Sequence, residues 1–165
     1  MTATYLTCAE TAKLVREALK RHRPKVKFSV RSKTYSGGAS IDIHWTDGPR
    51  TKAVDAVAKR FEGADFDGMQ DLKSTHCTVL SQPDGSVQEV RFGADFIFTS
   101  RSESDRATAH PKALALIRER LTLRDGLWGN DDPEYLAHRI LRDRDYLTEP
   151  DLEPAFNRVA LHKGE

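Results

Sequence analysis

The chain has 165 residues, of which 38% are hydrophobic and 31% charged; that is polar for a globular protein but above the disordered regime, and folding at this length buries roughly 70% of the extended surface without help from a metal or disulfide. No apolar run approaches the roughly 20 residues of a membrane span, and Met1-Thr2-Ala3-Thr4-Tyr5 lacks the basic and apolar regions of a signal peptide, so a cytoplasmic protein is expected. The net charge of +1 hides an asymmetry: residues 1–62 carry 13 Lys+Arg against 6 Asp+Glu, or +7, and residues 63–165 carry 13 against 19, or −6.

Thr7-Cys8-Ala9-Glu10 has the spacing of a capping box and predicts a helix running to about His22. Leu14 with Ala18, and Val15 with Leu19, form its inward stripe, and Lys13, Arg16, Lys20, Arg21 and Arg23 make the outer face basic. Pro24 stops it. A hairpin is predicted over 25–46. Val26, Phe28 and Val30 on one arm, and Ala39, Ile41, Ile43 and Trp45 on the other, alternate with polar neighbours and point to a core. Lys27, Ser29 and Arg31 fall beside Ser40, Asp42 and His44 on the opposite face, and a long, mobile loop from Lys33 to Gly38 is expected to carry Tyr35. Val54, Val57, Ala58 and Phe61 predict a second helix, ended by Glu62-Gly63.

Residues 64–71 read as an acidic loop. A second hairpin turns at Pro83-Asp84-Gly85-Ser86; its first strand, about 72–80, is weakly patterned. Its second strand is predicted as one run with Val90, Phe92, Ala94, Phe96 and Phe98 on a core face. A third helix is expected near Pro111, with Leu114, Ile117 and Leu121 inward and Thr108 or Asp105 as cap. A fourth is expected over 133–143, with Leu136, Ile140 and Leu141 inward, and Leu152, Phe156 and Val159 suggest a short helix in the tail. The order αββα-ββ-αα implies a single α+β domain: a mostly antiparallel four-stranded sheet of two hairpins with helices on one face. Cys8 and Cys77 are expected as free thiols.

Several runs in this order resemble a known family: Ser29-Val30-Arg31-Ser32, Tyr35-Ser36-Gly37-Gly38, Ser40-Ile41-Asp42, Trp45-Thr46-Asp47-Gly48-Pro49, Phe66-Asp67-Gly68-Met69 with Asp71, and Phe92-Gly93-Ala94-Asp95-Phe96. Over about residues 10–105 the chain is similar to the large polyvalent protein-associated domain of the twenty-ninth type. The resemblance implies a phage or conjugative-element context, a bacterial host cell, and a role in handling incoming DNA or in conflict with host defences. It brings no catalytic residues. Residues 1–105 are expected to form this domain, and 106–165 a helical C-terminal extension packing on the same core.

Four constellations carry chemistry. Lys27, Arg31, Lys33, Tyr35, His44 and Arg50, around the first hairpin, suit phosphate contacts and base stacking; an ordinary solvated strand face is the plainer reading. Asp42 and His44 share a strand face, where a carboxylate can orient an imidazole as general base. Ser29 or Ser40 would have to be the nucleophile, no nucleophile elbow surrounds either, and a surface hydrogen-bonded pair is plainer. Asp65, Asp67, Asp71, His76 and Asp95 offer ligands for Mg²⁺ or Mn²⁺, although turn and cap roles account for the acids, and no metal or other cofactor is expected. Trp128, in Leu127-Trp128-Gly129-Asn130-Asp131-Asp132-Pro133, is a candidate partner anchor or a lid over the core. Gly37-Gly38 precedes a strand and lacks a Gly-Lys-Ser/Thr ending, so it is not a phosphate loop.

The expected function is a non-enzymatic accessory module that binds nucleic acid or a host defence protein through the polar face of the first hairpin. The alternatives are a small metal- or His-dependent hydrolase built on Asp42, His44, Asp67 and His76, and an oligomerising structural protein whose basic and acidic halves pair between copies.

Overall fold

The computed structural model describes residues 3–67, 69, 72–81, 85–123, 132–149 and 151–161. Among these are five α-helices and eight strands: β1 (Thr4–Leu6), α1 (Cys8–His22), β2 (Ser29–Tyr35), β3 (Gly38–Thr46), α2 (Thr51–Ala58), β4 (Ala64–Asp67), β5 (Leu72–Thr75), β6 (Thr78–Ser81), β7 (Val87–Phe92), β8 (Phe96–Ser102), α3 (Arg106–Leu123), α4 (Pro133–Asp143) and α5 (Glu153–Leu161). The strands form three small sheets, ordered β1-β7-β6, β2-β3-β8 and β4-β5, not one four-stranded antiparallel sheet. The α+β class holds; the sheet count does not.

The physical reason lies at Gly93-Ala94-Asp95, where the long second strand breaks. β7 pairs with β1 in parallel and with β6 antiparallel, whereas β8 joins β3. Gly93 makes the break possible: a Cβ there would run into the carbonyl oxygen of Leu6. A shift of one residue in a strand exchanges its two faces. Val90, Phe92 and Ala94 are buried as expected, but beyond the break Ile97 takes the core position and Phe98 is 57% exposed. The acidic segment 64–71 is likewise not all loop, since Ala64–Asp67 pairs with Leu72–Thr75.

The chain divides into two compact units, residues 1–45 with 52–100, and residues 46–51 with 101–165. In the first, α1 begins with the capping box read from sequence. The Glu10 amide donates to Thr7 Oγ1 at 3.2 Å, and the Thr7 amide donates to Glu10 Oε2 at 2.8 Å. Val15 and Leu19 of α1, Val30 of β2, Ala39, Ile41, Ile43 and Trp45 of β3, and Val54 and Ala58 of α2 form one buried cluster. Each large side chain so buried contributes about 1.5–3 kcal/mol. Arg16 donates to the Val30 carbonyl at 2.8 Å and so occupies one backbone acceptor of the edge strand β2.

In the second unit α3 starts at Arg106, five residues before Pro111. The Asp105 carbonyl accepts the Thr108 and Ala109 amides at 2.9 and 2.8 Å and opens the helix there; Pro111 costs it one internal bond. Asp132 caps α4 through the Glu134 amide at 3.1 Å, and Leu136, Ile140 and Leu141 are buried as expected. With Ala113, Ile117, Ala155 and Phe156, α4's Leu136, Ala137 and Ile140 make a separate core. Arg101, its side chain 3% exposed, donates to the carbonyls of Leu141, Arg142 and Arg144 at 2.8, 2.9 and 2.7 Å. They help to satisfy carbonyls at the C-terminal end of α4, of which that of Leu141 also accepts the Arg144 amide at 3.3 Å.

Candidate functional site

The first hairpin is tighter than its sequence suggests. Tyr35 pairs with Gly38, so the turn is only Ser36-Gly37, and Gly37 takes a φ of +89° that a glycine adopts at no steric cost. The expected long loop is therefore strand. Ser29 lies opposite His44, Arg31 opposite Asp42 and Lys33 opposite Ser40. Ser29, Arg31, Lys33 and Tyr35 thus stand in one row on one face of β2, about 6.6 Å apart. All four are exposed, Tyr35 by 52%. Lys27, two residues upstream, is exposed as well. The other face sends Val30 and Ile43 into the core.

Lys33 reaches diagonally to Asp42 at 3.2 Å, with both side chains well exposed. Such a pair is worth at most about 1 kcal/mol and is readily exchanged for another anion. His44 Nδ1 lies 3.1 Å from Ser100 Oγ. Asp42 and His44 therefore share a face as expected, with Lys33 and Ser100 as their respective partners. Ser29 stands across from His44, whereas Ser40 is buried. Arg50 is half-buried and belongs to the second unit.

Where the turn meets the first residues of α1, the fold leaves a cleft of about 540 Å³. It is lined by Thr7, Cys8, Ser32, Thr34, Gly37, Gly38, Gly63, Lys73, Arg91, Gly93 and Asp95, among others. Asp95 and Ala39 bond reciprocally: the Ala39 amide donates to Asp95 Oδ2 at 2.9 Å, and the Asp95 amide donates to the Ala39 carbonyl at 2.8 Å. Lys73 Nζ sits 2.7 Å from the same carboxylate oxygen and 3.4 Å from the Gly37 carbonyl. This half-buried ion pair joins β5 to the tip of the hairpin. Cys8 points its thiol at the Ser40 carbonyl, 3.5 Å away. Burial raises its pKa, and the charge of Asp95 pushes the same way, so the thiol stays protonated at neutral pH and is a poor nucleophile.

His76 Nδ1 lies 3.3 Å from Asp65 Oδ2, both exposed. Among the described residues no third donor completes a ligand set with them. The side chain of Asp67, the whole of Asp71 and Trp128 lie outside the described residues. Sequence reasoning passed over Lys73 and took Asp95 only as a metal candidate. The one local signal was the Gly-Ala-Asp run after Phe92, which reads as strand until its pairing partners are known.

The first unit is an α+β module whose cleft forms where the glycine turn of a hairpin meets a Gly-Ala-Asp break between two strands. The sequence pattern of the large polyvalent protein associated domain 29 matches residues 6–104, and the chain belongs to that family; it is a module associated with phages and other mobile elements. Gly37, Gly38, Phe92, Gly93 and Asp95, from two of the runs that carried the resemblance, all line the cleft. No curated protein and no solved structure matches the chain. No described helix is long and apolar enough to cross a membrane.

Proposed function

We propose that the chain is a binding module of a mobile element and that the outer face of β2 contacts a single nucleic-acid strand. The row of Arg31, Lys33 and Tyr35 on one exposed face carries this reading: cations for a phosphate backbone, followed by an aromatic ring on which a base can stack. Lys27, exposed two residues upstream of β2, adds a third cation. Asp42 tempers this charge without cancelling it, since three cations face one carboxylate.

Fluorescence anisotropy of labelled single-stranded DNA and RNA, read from about 50 to about 200 mM salt, tests it. With Lys27, Arg31 and Lys33 on three phosphates, the log–log salt slope is expected near −2, or about 15- to 20-fold weaker binding over that range. Arg31→Glu with Lys33→Glu should abolish binding, and Tyr35→Ala should weaken it by the about 1–3 kcal/mol of one stacked base. Absence of binding at the low salt, or binding that ignores the double charge reversal, overturns the proposal. A protein target, such as a host defence factor, would then take its place.

A further inference from the structure

We infer that α3 and α4 carry a site for a divalent late-transition metal, Zn²⁺ in the first instance, with His110, Glu134 and His138 as ligands. Glu134 and His138 are four residues apart on α4 and therefore project from one face of that helix. His110 comes from α3. The three donor atoms lie within 4.8 Å of one another. The two imidazole rings lie 4.6 Å apart between centroids, tilted by 39° to one another.

His110 Nε2 supplies the second observation. It is buried and makes no hydrogen bond, although Glu134 Oε2 is 3.2 Å away. A buried nitrogen whose near neighbour makes no aligned hydrogen bond to it costs free energy unless something else satisfies it. A metal does so here: Zn–N and Zn–O bonds of about 2.0–2.2 Å at the tetrahedral angle place two ligand atoms about 3.3 Å apart, close to the His110–Glu134 separation. Two nitrogens and one carboxylate oxygen favour Zn²⁺ over Mg²⁺ or Ca²⁺, which prefer all-oxygen sites. Three protein ligands leave a fourth position for water or a partner's side chain.

Arg106 opposes the metal. Its guanidinium donates to His138 Nδ1 at 2.9 Å. Whichever ring nitrogen binds, that hydrogen bond is lost: ligation through Nδ1 takes its lone pair, and ligation through Nε2 puts the proton on Nδ1. Arg106 has somewhere to go, because Glu103 already holds its other nitrogen at 3.3 Å. Arg106 thus weakens the site without closing it. The ligands all lie beyond residues 6–104, so the site gives a role to the segment outside the family match.

The test is equilibrium dialysis of the tag-free protein against ZnCl₂, with metal analysis and competition against a chromogenic chelator. The wild-type chain is expected to hold one Zn²⁺ that His110→Ala, Glu134→Gln and His138→Ala each lose. Each loss should be at least the about 10- to 100-fold that removing a mere supporting partner costs. Arg106→Ala should tighten binding by about three- to tenfold, the size of one hydrogen bond. His76→Ala and Cys77→Ser should leave this equivalent untouched. Ring-nitrogen spectra of the wild-type protein give a readout that no variant can confound: the His110 and His138 signals should shift with one equivalent of Zn²⁺. Unmoved signals, or a stoichiometry equal in His138→Ala and wild type, overturn the inference.

Discussion

Gly93 and Gly63 act through the atoms they lack. A Cβ at Gly93 would press on the Leu6 carbonyl oxygen, and one at Gly63 on the Phe92 carbonyl oxygen. In both cases the obstacle is backbone, which cannot rotate away as a side-chain tip can. Gly93 also donates its amide to the buried Thr11 hydroxyl at 3.2 Å. Gly93→Ala is therefore expected to cost about 1–3 kcal/mol or more, the range of overpacked cores, measured by urea unfolding. Gly85→Ala tests the spatial part of the claim, because nothing lies within 4 Å of a Cβ there and its cost should come from its positive φ alone. Equal losses at 93 and 85 would mean that crowding at the cleft is not what counts. None of this is visible in a sequence, where Gly93 sits inside a run that alternates like a strand.

Elements whose signals are local were legible in the sequence. The capping box of α1 and the inward stripe of α4 are each contained in a single segment, and β3's alternation depends only on its own side chains. What failed depended on partners. β1 is three residues long and exists because Val90, Arg91 and Phe92 offer it a parallel ladder. β4 exists through β5. The proposed zinc ligands were not read from the sequence: the Glu134-x-x-x-His138 spacing is a local signal, but His110 joins them only through tertiary packing. Asp105 shows the same dependence on partners. Burial works against its ionisation, yet the hydrogen bonds from the Tyr146 hydroxyl and Arg144, at 2.6 and 2.9 Å, together with Arg144's charge, outweigh it and lower its pKa. A lowered carboxylate adds stability that is present above its unfolded pKa of about 3.9 and is lost as pH falls through the lower folded value. The gap in thermal midpoint between wild type and Asp105→Asn should accordingly be open at pH 7 and close on acidification past pH 4. Parallel curves across that window would rule the linkage out.

At the scale of the whole chain, the basic and acidic halves of the sequence do not coincide with the two folded units, because residues 63–100 of the acidic half belong to the first unit and residues 46–51 of the basic half belong with 101–165. That short segment is tied into the second unit by backbone. The Asp47 amide donates to the Ser102 carbonyl at 2.7 Å, the Tyr146 amide donates to the Gly48 carbonyl at 2.9 Å, and Asp47's carboxylate accepts the amide and hydroxyl of Ser104 at 2.8 and 2.6 Å. Asp47 adopts a φ of +55° while it does so. Each unit has a hydrophobic cluster of its own, with Ile41 and Ile43 in one and Ile117 and Ile140 in the other. Truncating a fully buried isoleucine to alanine costs about 2–5 kcal/mol where its neighbours cannot collapse into the space. Hydrogen exchange read by mass spectrometry can locate that cost. Ile41→Ala should lower amide protection most in α1, β2 and β3, and Ile140→Ala most in α3, α4 and α5. The segment 46–51 should follow the second variant although it is flanked on both sides by the first unit. If it followed Ile41→Ala instead, its backbone bonds to Ser102 and Tyr146 would not govern its stability; if both variants lowered protection equally throughout, the two clusters would open as one.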